Sequence, residues 1–150
     1  MHFAISGHTA AELIYSRANS DKEHMGLTNW KNSPDGLIYK YDVIIAKNYL
    51  NEEEMNNLKD LTNLFFVYAE DEAKQRHVMT MKDWIEALDN QIIVHKRKVL
   101  IGKGHISHKQ AIEKAEKEFE IYRKREMELL ESDFDREIKR LRDKNDGNSK

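Results

Sequence analysis

Apolar residues recur at spacings of three and four through most of the chain, the pattern of amphipathic helices rather than strands. The firmest stretch opens at Asn51, which with Glu54 forms an N-terminal cap. Met55, Leu58, Leu61/Thr62, Phe65, Tyr68/Ala69 and Glu72 follow on one face, predicting a helix to about Arg76. Thr80 with Asp83 starts another, with a stripe of Met81, Trp84/Ile85, Leu88, Ile92 and His95. Gly102-Lys103-Gly104 breaks the pattern, and Ser107 with Gln110 caps a last helix expected to reach about Lys144. Near the beginning, Thr9 and Glu12 form a T-x-x-E capping box. The Thr9 hydroxyl meets the amide three residues on, and Glu12 reaches back to the Thr9 amide. Leu13, Ile14 and Ala18 give that short helix its apolar face, and Asn19-Ser20-Asp21 ends it.

Other parts carry weaker periodicity. Phe3 and Ile5 alternate with polar neighbours, so residues 1–7 read as an extended lead-in. Residues 20–40 are the least regular and contain the single proline. Ser33-Pro34-Asp35-Gly36 is a turn, with Pro34 presetting φ and Gly36 suited to a left-handed conformation. Trp30 and Leu37–Tyr39 flank it, which leaves room for a small β-hairpin. Val43–Leu50 is too short to choose between helix and strand, and its downstream context favours helix. The fold class is therefore mostly α: four to five helices, the small hairpin near the N-terminus, and a long C-terminal helix.

That last helix changes character along its length. Between residues 108 and 143 there are 10 Lys/Arg and 11 Asp/Glu, many as Glu-to-Lys pairs four apart such as Glu113–Lys117 and Glu120–Lys124. Each contributes only about 0.2–0.5 kcal/mol, but together they support a solvated helix. Ala111/Ile112, Ala115, Phe119 and Tyr122 form one apolar stripe. Met127, Leu130, Phe134, Ile138 and Leu141 form a second, out of phase with the first from about Glu126. The first half suits the body of the domain; the second is left for an interface. This divides the chain into a helical core, 1–106, and a charged helix, 107–150, that packs on the core and on a partner chain.

Composition narrows the function classes. The 150 residues carry 35% charged side chains, a net charge of -2 and a mean hydropathy of -0.81. No global basic field draws the chain to nucleic acid. No apolar run is long enough for a membrane span, no signal peptide is evident, and the default compartment is the cytoplasm. The absence of cysteine excludes disulfides, thiolate nucleophiles and Cys-ligated zinc.

Few residues invite chemistry. His8 and Glu12 sit four apart, half a metal site on a helix, but the capping box places His8 outside the helix and engages Glu12 with the backbone. His105-x-x-His108 straddles the Ser107 cap with no third ligand near it. His95 lies on an apolar stripe and reads as a core or interface histidine. Lys96-Arg97-Lys98, Lys103 and Lys109 form a basic cluster without interleaved aromatics, which reads as a solvated helix end, with nucleic-acid contact as the alternative. Gly102-Lys103-Gly104 lacks the rest of a P-loop. The segment His24, Thr28, Asn29, Trp30, Lys31 mixes polar and aromatic residues in an irregular region, where binding residues gather. Its structural alternative is Trp30 anchoring the core while its neighbours pair the loop backbone. No cofactor and no metal site is expected.

Four blocks carry a family resemblance: GHTAAELIYSRA (7–18), HMGLTNWK (24–31), DVIIAKNYLNEEE (42–54) and MTMKDWIEALD (79–89). In this order they resemble the C-terminal half of the RhuM-type virulence protein family of bacteria, named for a pathogenicity-island gene, over roughly residues 1–122. The resemblance implies a full frame that begins earlier, with a helix-turn-helix-like DNA-binding region, so nucleic acid would be met through that missing part. Some relatives carry a Fic label, but the motif H-P-F-x-D/E-G-N-G-R does not occur here. The family brings no mechanism and no catalytic residues. The expected function is a non-enzymatic oligomerisation or protein-interaction module, a homo-oligomer through the C-terminal helix with no membrane contact. Its rival is an enzyme or nucleic-acid-processing domain using His8, Glu12, Arg17, His24, Asn29 and Lys31.

Overall fold

The computed structural model describes residues 1–148, with side-chain placement given to residue 145. Five α-helices run in chain order: α1 His2–Ser6, α2 Ala10–Arg17, α3 Glu52–Lys74, α4 Met81–Val94 and α5 His108–Asn148. Short 3-10 turns lie at Glu23–Gly26 and Ala46–Tyr49, and no strand occurs among the described residues. The mostly α class and the long C-terminal helix stand.

The caps read from sequence set the helix starts. The Thr9 hydroxyl accepts from the Glu12 amide at 3.2 Å, and the Glu12 carboxylate accepts from that same hydroxyl at 3.1 Å, short of the complete box expected there. Asn51/Glu54 and Thr80/Asp83 close complete capping boxes. Ser107 and Gln110 exchange both bonds, at 2.9 and 3.1 Å. These signals depend only on residues three apart, so the local chain decides them.

The core is built where α2 lies between α5 and the irregular segment 25–50. Leu13 and Ile14 of α2, with Ala18 at its C-cap, meet Ala111, Ala115 and Phe119 of α5 on one side. On the other they meet Met25, Leu27, Trp30, Val43, Tyr49 and Leu50. Alanines at 111 and 115, both fully buried, let α5 approach α2 closely. Lys114 Nζ donates to the Tyr15 carbonyl and sits 5.0 Å over the Tyr15 ring, which locks the same contact from its rim. The α3–α4 pair reaches away from this core, joined by Phe65 edge-on to Trp84 at 6.0 Å. It leaves Phe66, Val67, Met81, Ile85, Ile93 and Val94 exposed.

Five local expectations change. Residues 2–6 form one turn of helix rather than an extended lead-in, because α1 packs on α3 and the Thr62 hydroxyl reaches Met1 Sδ at 3.5 Å. The small β-hairpin around 33–36 does not form. Instead the chain coils: the Ser33 amide donates to the Trp30 carbonyl, and the Gly36 amide to the Asn32 carbonyl at 2.7 Å. Gly36 is not left-handed; a Cβ there would stand 2.3 Å from the Asn32 carbonyl oxygen, so space rather than φ requires glycine. His95 is an exposed C-cap residue, not a core histidine, because α4 turns Ala87 and Ile92 inward instead. Finally, α5 runs past Lys144, to Asn148.

Candidate functional site

The sequence candidates fall into two separate places. His8, Glu12 and Arg17 belong to the start and end of α2. Glu12 accepts from the Thr9 hydroxyl at 3.1 Å, and His8 Nδ1 lies 3.7 Å from its other oxygen. Burial opposes the charge of Glu12. Hydrogen bonds from the Thr9 hydroxyl and from the backbone at His105 and Thr9 outweigh it and lower its pKa. Gly104 fits against this group because it lacks a Cβ, which would stand 2.6 Å from Glu12 Oε1. Thr9 therefore caps α2, and Glu12 braces that cap and seats the loop before α5. Arg17 is consumed by structure too: it forks onto Glu54 at 2.6 and 2.9 Å and donates to the Tyr49 carbonyl at 2.9 Å.

Asn29 and Lys31 stand elsewhere, in the irregular segment. They line an open cleft of about 690 Å³ with Trp30, Ser33, Tyr41, Asp42, Ile45, Lys47 and Asn48. His24 is not in its wall; its ring packs on Trp30 with centroids 4.7 Å apart. Trp30 itself is a core residue, 5% exposed, and its indole N–H donates to the Gly36 carbonyl at 2.9 Å. The anchoring alternative for Trp30 thus describes its place, while its polar neighbours face an opening.

The cleft is shaped by a residue that hydrophobic patterning overlooks. Asp42 is 1% exposed, and its carboxylate accepts from the Lys31 amide at 3.2 Å and the Tyr39 amide at 2.8 Å. Asn48 Nδ2 donates to the Asp42 carbonyl at 2.9 Å, and the Asn48 carbonyl accepts from the Thr28 amide at 2.8 Å. The Tyr49 hydroxyl donates to the Val43 carbonyl at 2.6 Å; burial raises its pKa, so it stays a donor. Buried polar groups in an irregular segment must find partners, and here they find one another. The cleft wall is consequently fixed by hydrogen bonds rather than by secondary structure. Lys31 Nζ lies 5.7 Å over the Tyr41 ring, and the polar lining is made of two lysines, two asparagines, Ser33 and Asp42, whose carboxylate is already engaged by the Lys31 and Tyr39 amides. In sequence, a polar Asp42 and Asn48 bracketing the apolar run Val43–Ala46 were the available signal.

Among the described residues, no group of three or more His, Asp or Glu side chains is placed to hold a metal ion. None of the described helices is long and apolar enough to cross a membrane. The stripe Met127, Leu130, Phe134 and Leu141 is exposed along α5, and Ile138 is only partly covered.

These features define an all-helical domain with a hydrogen-bonded loop cleft and a helix that outruns its own core. The chain belongs to the virulence protein RhuM family, whose match covers residues 1–130. No curated protein and no solved structure matches the chain.

Proposed function

We propose that this member of the RhuM family is a non-enzymatic association module, whose helices recruit another polypeptide chain through α5. The supporting observation is its surface. The chain exposes 11146 Å², whereas a compact monomer of 17.7 kDa exposes about 8,000 Å². Large apolar side chains face water on the α3–α4 pair and on the last part of α5, among other places. Apolar area costs about 25 cal/mol per Å² left in water, so covering it drives association. In a longer frame the module would hold together the chains that carry the family's DNA-binding-type region.

Light scattering of the intact chain across micromolar concentrations tests this. The expected result is an oligomer that Leu130→Gln with Phe134→Gln converts to a monomer, with helix content unchanged by circular dichroism. A wild-type chain that stays monomeric at high micromolar concentration overturns the reading.

A second reading rests on the cleft: Lys31, Lys47, Asn29 and Asn48 line an opening large enough for a small polar ligand with negative charge. A thermal-shift screen against anionic metabolites, with Lys31→Ala and Lys47→Ala as controls, tests it. The enzymatic form of that reading, which also needs His8, Glu12 and Arg17, loses support because those residues do not line the cleft.

A further inference from the structure

Among the described residues, the last hydrogen bonds from α5 to the body are made by Arg125, which donates to the Ser20 carbonyl at 3.0 Å and pairs with Asp21 at 3.4 Å. Beyond it the apolar stripe has an internal symmetry. Met127, Leu130, Phe134, Ile138 and Leu141 lie at offsets of minus seven, minus four, zero, plus four and plus seven from Phe134. At about 100° per residue all five fall within a sector of roughly 80°. A second copy of the helix laid antiparallel, with its two-fold axis at Phe134, therefore sets Met127 against Leu141, Leu130 against Ile138, and Phe134 against itself.

The charges are asymmetric about the same point. Residues 126–133 hold four acids, Glu126, Glu128, Glu131 and Asp133, and no base. The mirrored residues 135–142 hold two acids and four bases, Arg136, Lys139, Arg140 and Arg142. A parallel pair would set each window against itself; an antiparallel pair sets the acidic window against the basic one. Near the axis, where acids of both helices approach, two already have a basic neighbour within their own helix. Asp133 pairs with Arg136 at 3.9 Å and Glu137 with Arg140 at 2.8 Å. Attraction then comes from the ends, where Glu126 and Glu128 of one copy lie level with Arg142 and Arg140 of the other.

We infer that the partner of α5 is a second copy of this chain, paired antiparallel through Met127–Leu141 with its two-fold axis at Phe134. The inference rests on the association reading above and adds the partner, direction and register. An isologous pair of this kind is closed and self-complementary, so it ends at a dimer along this face.

Disulfide trapping tests the register directly, since the chain has no cysteine of its own. Phe134→Cys, Met127→Cys and Leu141→Cys are made singly, on exposed positions that the core does not use. In the antiparallel register Phe134→Cys links to itself. Residue 127 stands about 21 Å along the axis from its own counterpart, far beyond the reach of a disulfide. Met127→Cys alone and Leu141→Cys alone then stay unlinked, while an equimolar mixture of the two gives a crossed dimer. Self-linking of Met127→Cys and Leu141→Cys as efficient as that of Phe134→Cys overturns the inference in favour of a parallel pair. A dimer by light scattering that none of these positions traps overturns it in favour of another surface. In both cases association stands, whereas a monomer by light scattering removes the association reading as well.

Discussion

Arg17, at the end of α2, holds Glu54, in the first turn of α3, through two parallel hydrogen bonds of 2.6 and 2.9 Å. Glu54 serves twice, because its carboxylate also accepts the Asn51 amide in the capping box at 3.0 Å. One charge pair thus fixes both where α3 starts and how it leaves the core. Arg17→Ala should cost about 1.5–3 kcal/mol, the range for hydrogen bonds to charged groups. Arg17→Lys should recover less than half of that, since an ammonium cannot reproduce the fork. Urea denaturation of both variants checks this, and a lysine variant as stable as wild type would contradict the role of the fork.

Acid should weaken the fold through a small set of carboxylates. The Arg17 guanidinium holds Glu54 below its ordinary value of 4.5, and bonds from Ser20 lower Glu118 likewise. A carboxylate with a depressed folded pKa stabilises fully above its unfolded value and loses that contribution as pH falls through the folded one. Melting temperature should therefore fall most steeply below pH 4.5, after a shallower decline that begins near pH 6.5, where unfolding lets the half-buried His2 take up a proton that burial resists. Glu54→Gln should start lower and fall less steeply. Melting curves from pH 7 to 3 on both proteins show which holds.

The Thr9–Glu12 cap also seats the loop before α5. Thr9→Ala should cost about 0.5–2 kcal/mol, and Glu12→Gln should be milder because its amide oxygen can still accept the same bonds. Gly104 has φ 76, and its missing Cβ is replaced by Glu12 and Thr9 atoms. Gly104→Ala should therefore lose at least about 1 kcal/mol, from left-handed strain alone. Were Glu12 catalytic, Glu12→Gln would abolish function at an unchanged melting temperature. Thermal melts beside any binding assay separate these outcomes.

Asp42 should be the most sensitive polar residue in the molecule. Asp42→Ala strands the Lys31 and Tyr39 amides in a buried loop, and a loss of about 3 kcal/mol is expected. Asp42→Asn keeps one acceptor and turns the other toward an amide as a donor, so it should fall between alanine and wild type. Tyr49→Phe should cost about 1 kcal/mol by leaving the Val43 carbonyl unpaired. Equilibrium unfolding measures all three; an Asp42→Ala protein near wild type would mean that the cleft wall is held by something else.

What the chain determined by itself was local. Four N-terminal caps, the breaks at Gly102–Gly104 and the stripe from Met55 to Glu72 involve residues within a few positions of one another, so helix geometry alone relates them. The palindromic spacing around Phe134 is of the same kind. Tertiary structure decided the rest. A single turn such as α1 has too few residues to show a period, and it forms against α3. A stripe tells which side of a helix is apolar, not whether another element arrives to cover it. Phe119 is therefore buried while Phe134, on the same helix, faces water. The candidate site shows the sharpest contrast. Asn29 and Lys31 meet Lys47 and Asn48 because Asp42 gathers amides 3 and 11 residues away into one buried carboxylate, and because the Asn48 carbonyl accepts from the Thr28 and Asn29 amides. His8 and Arg17 were drawn instead to the nearer carboxylates Glu12 and Glu54, where capping geometry and charge had already set their partners.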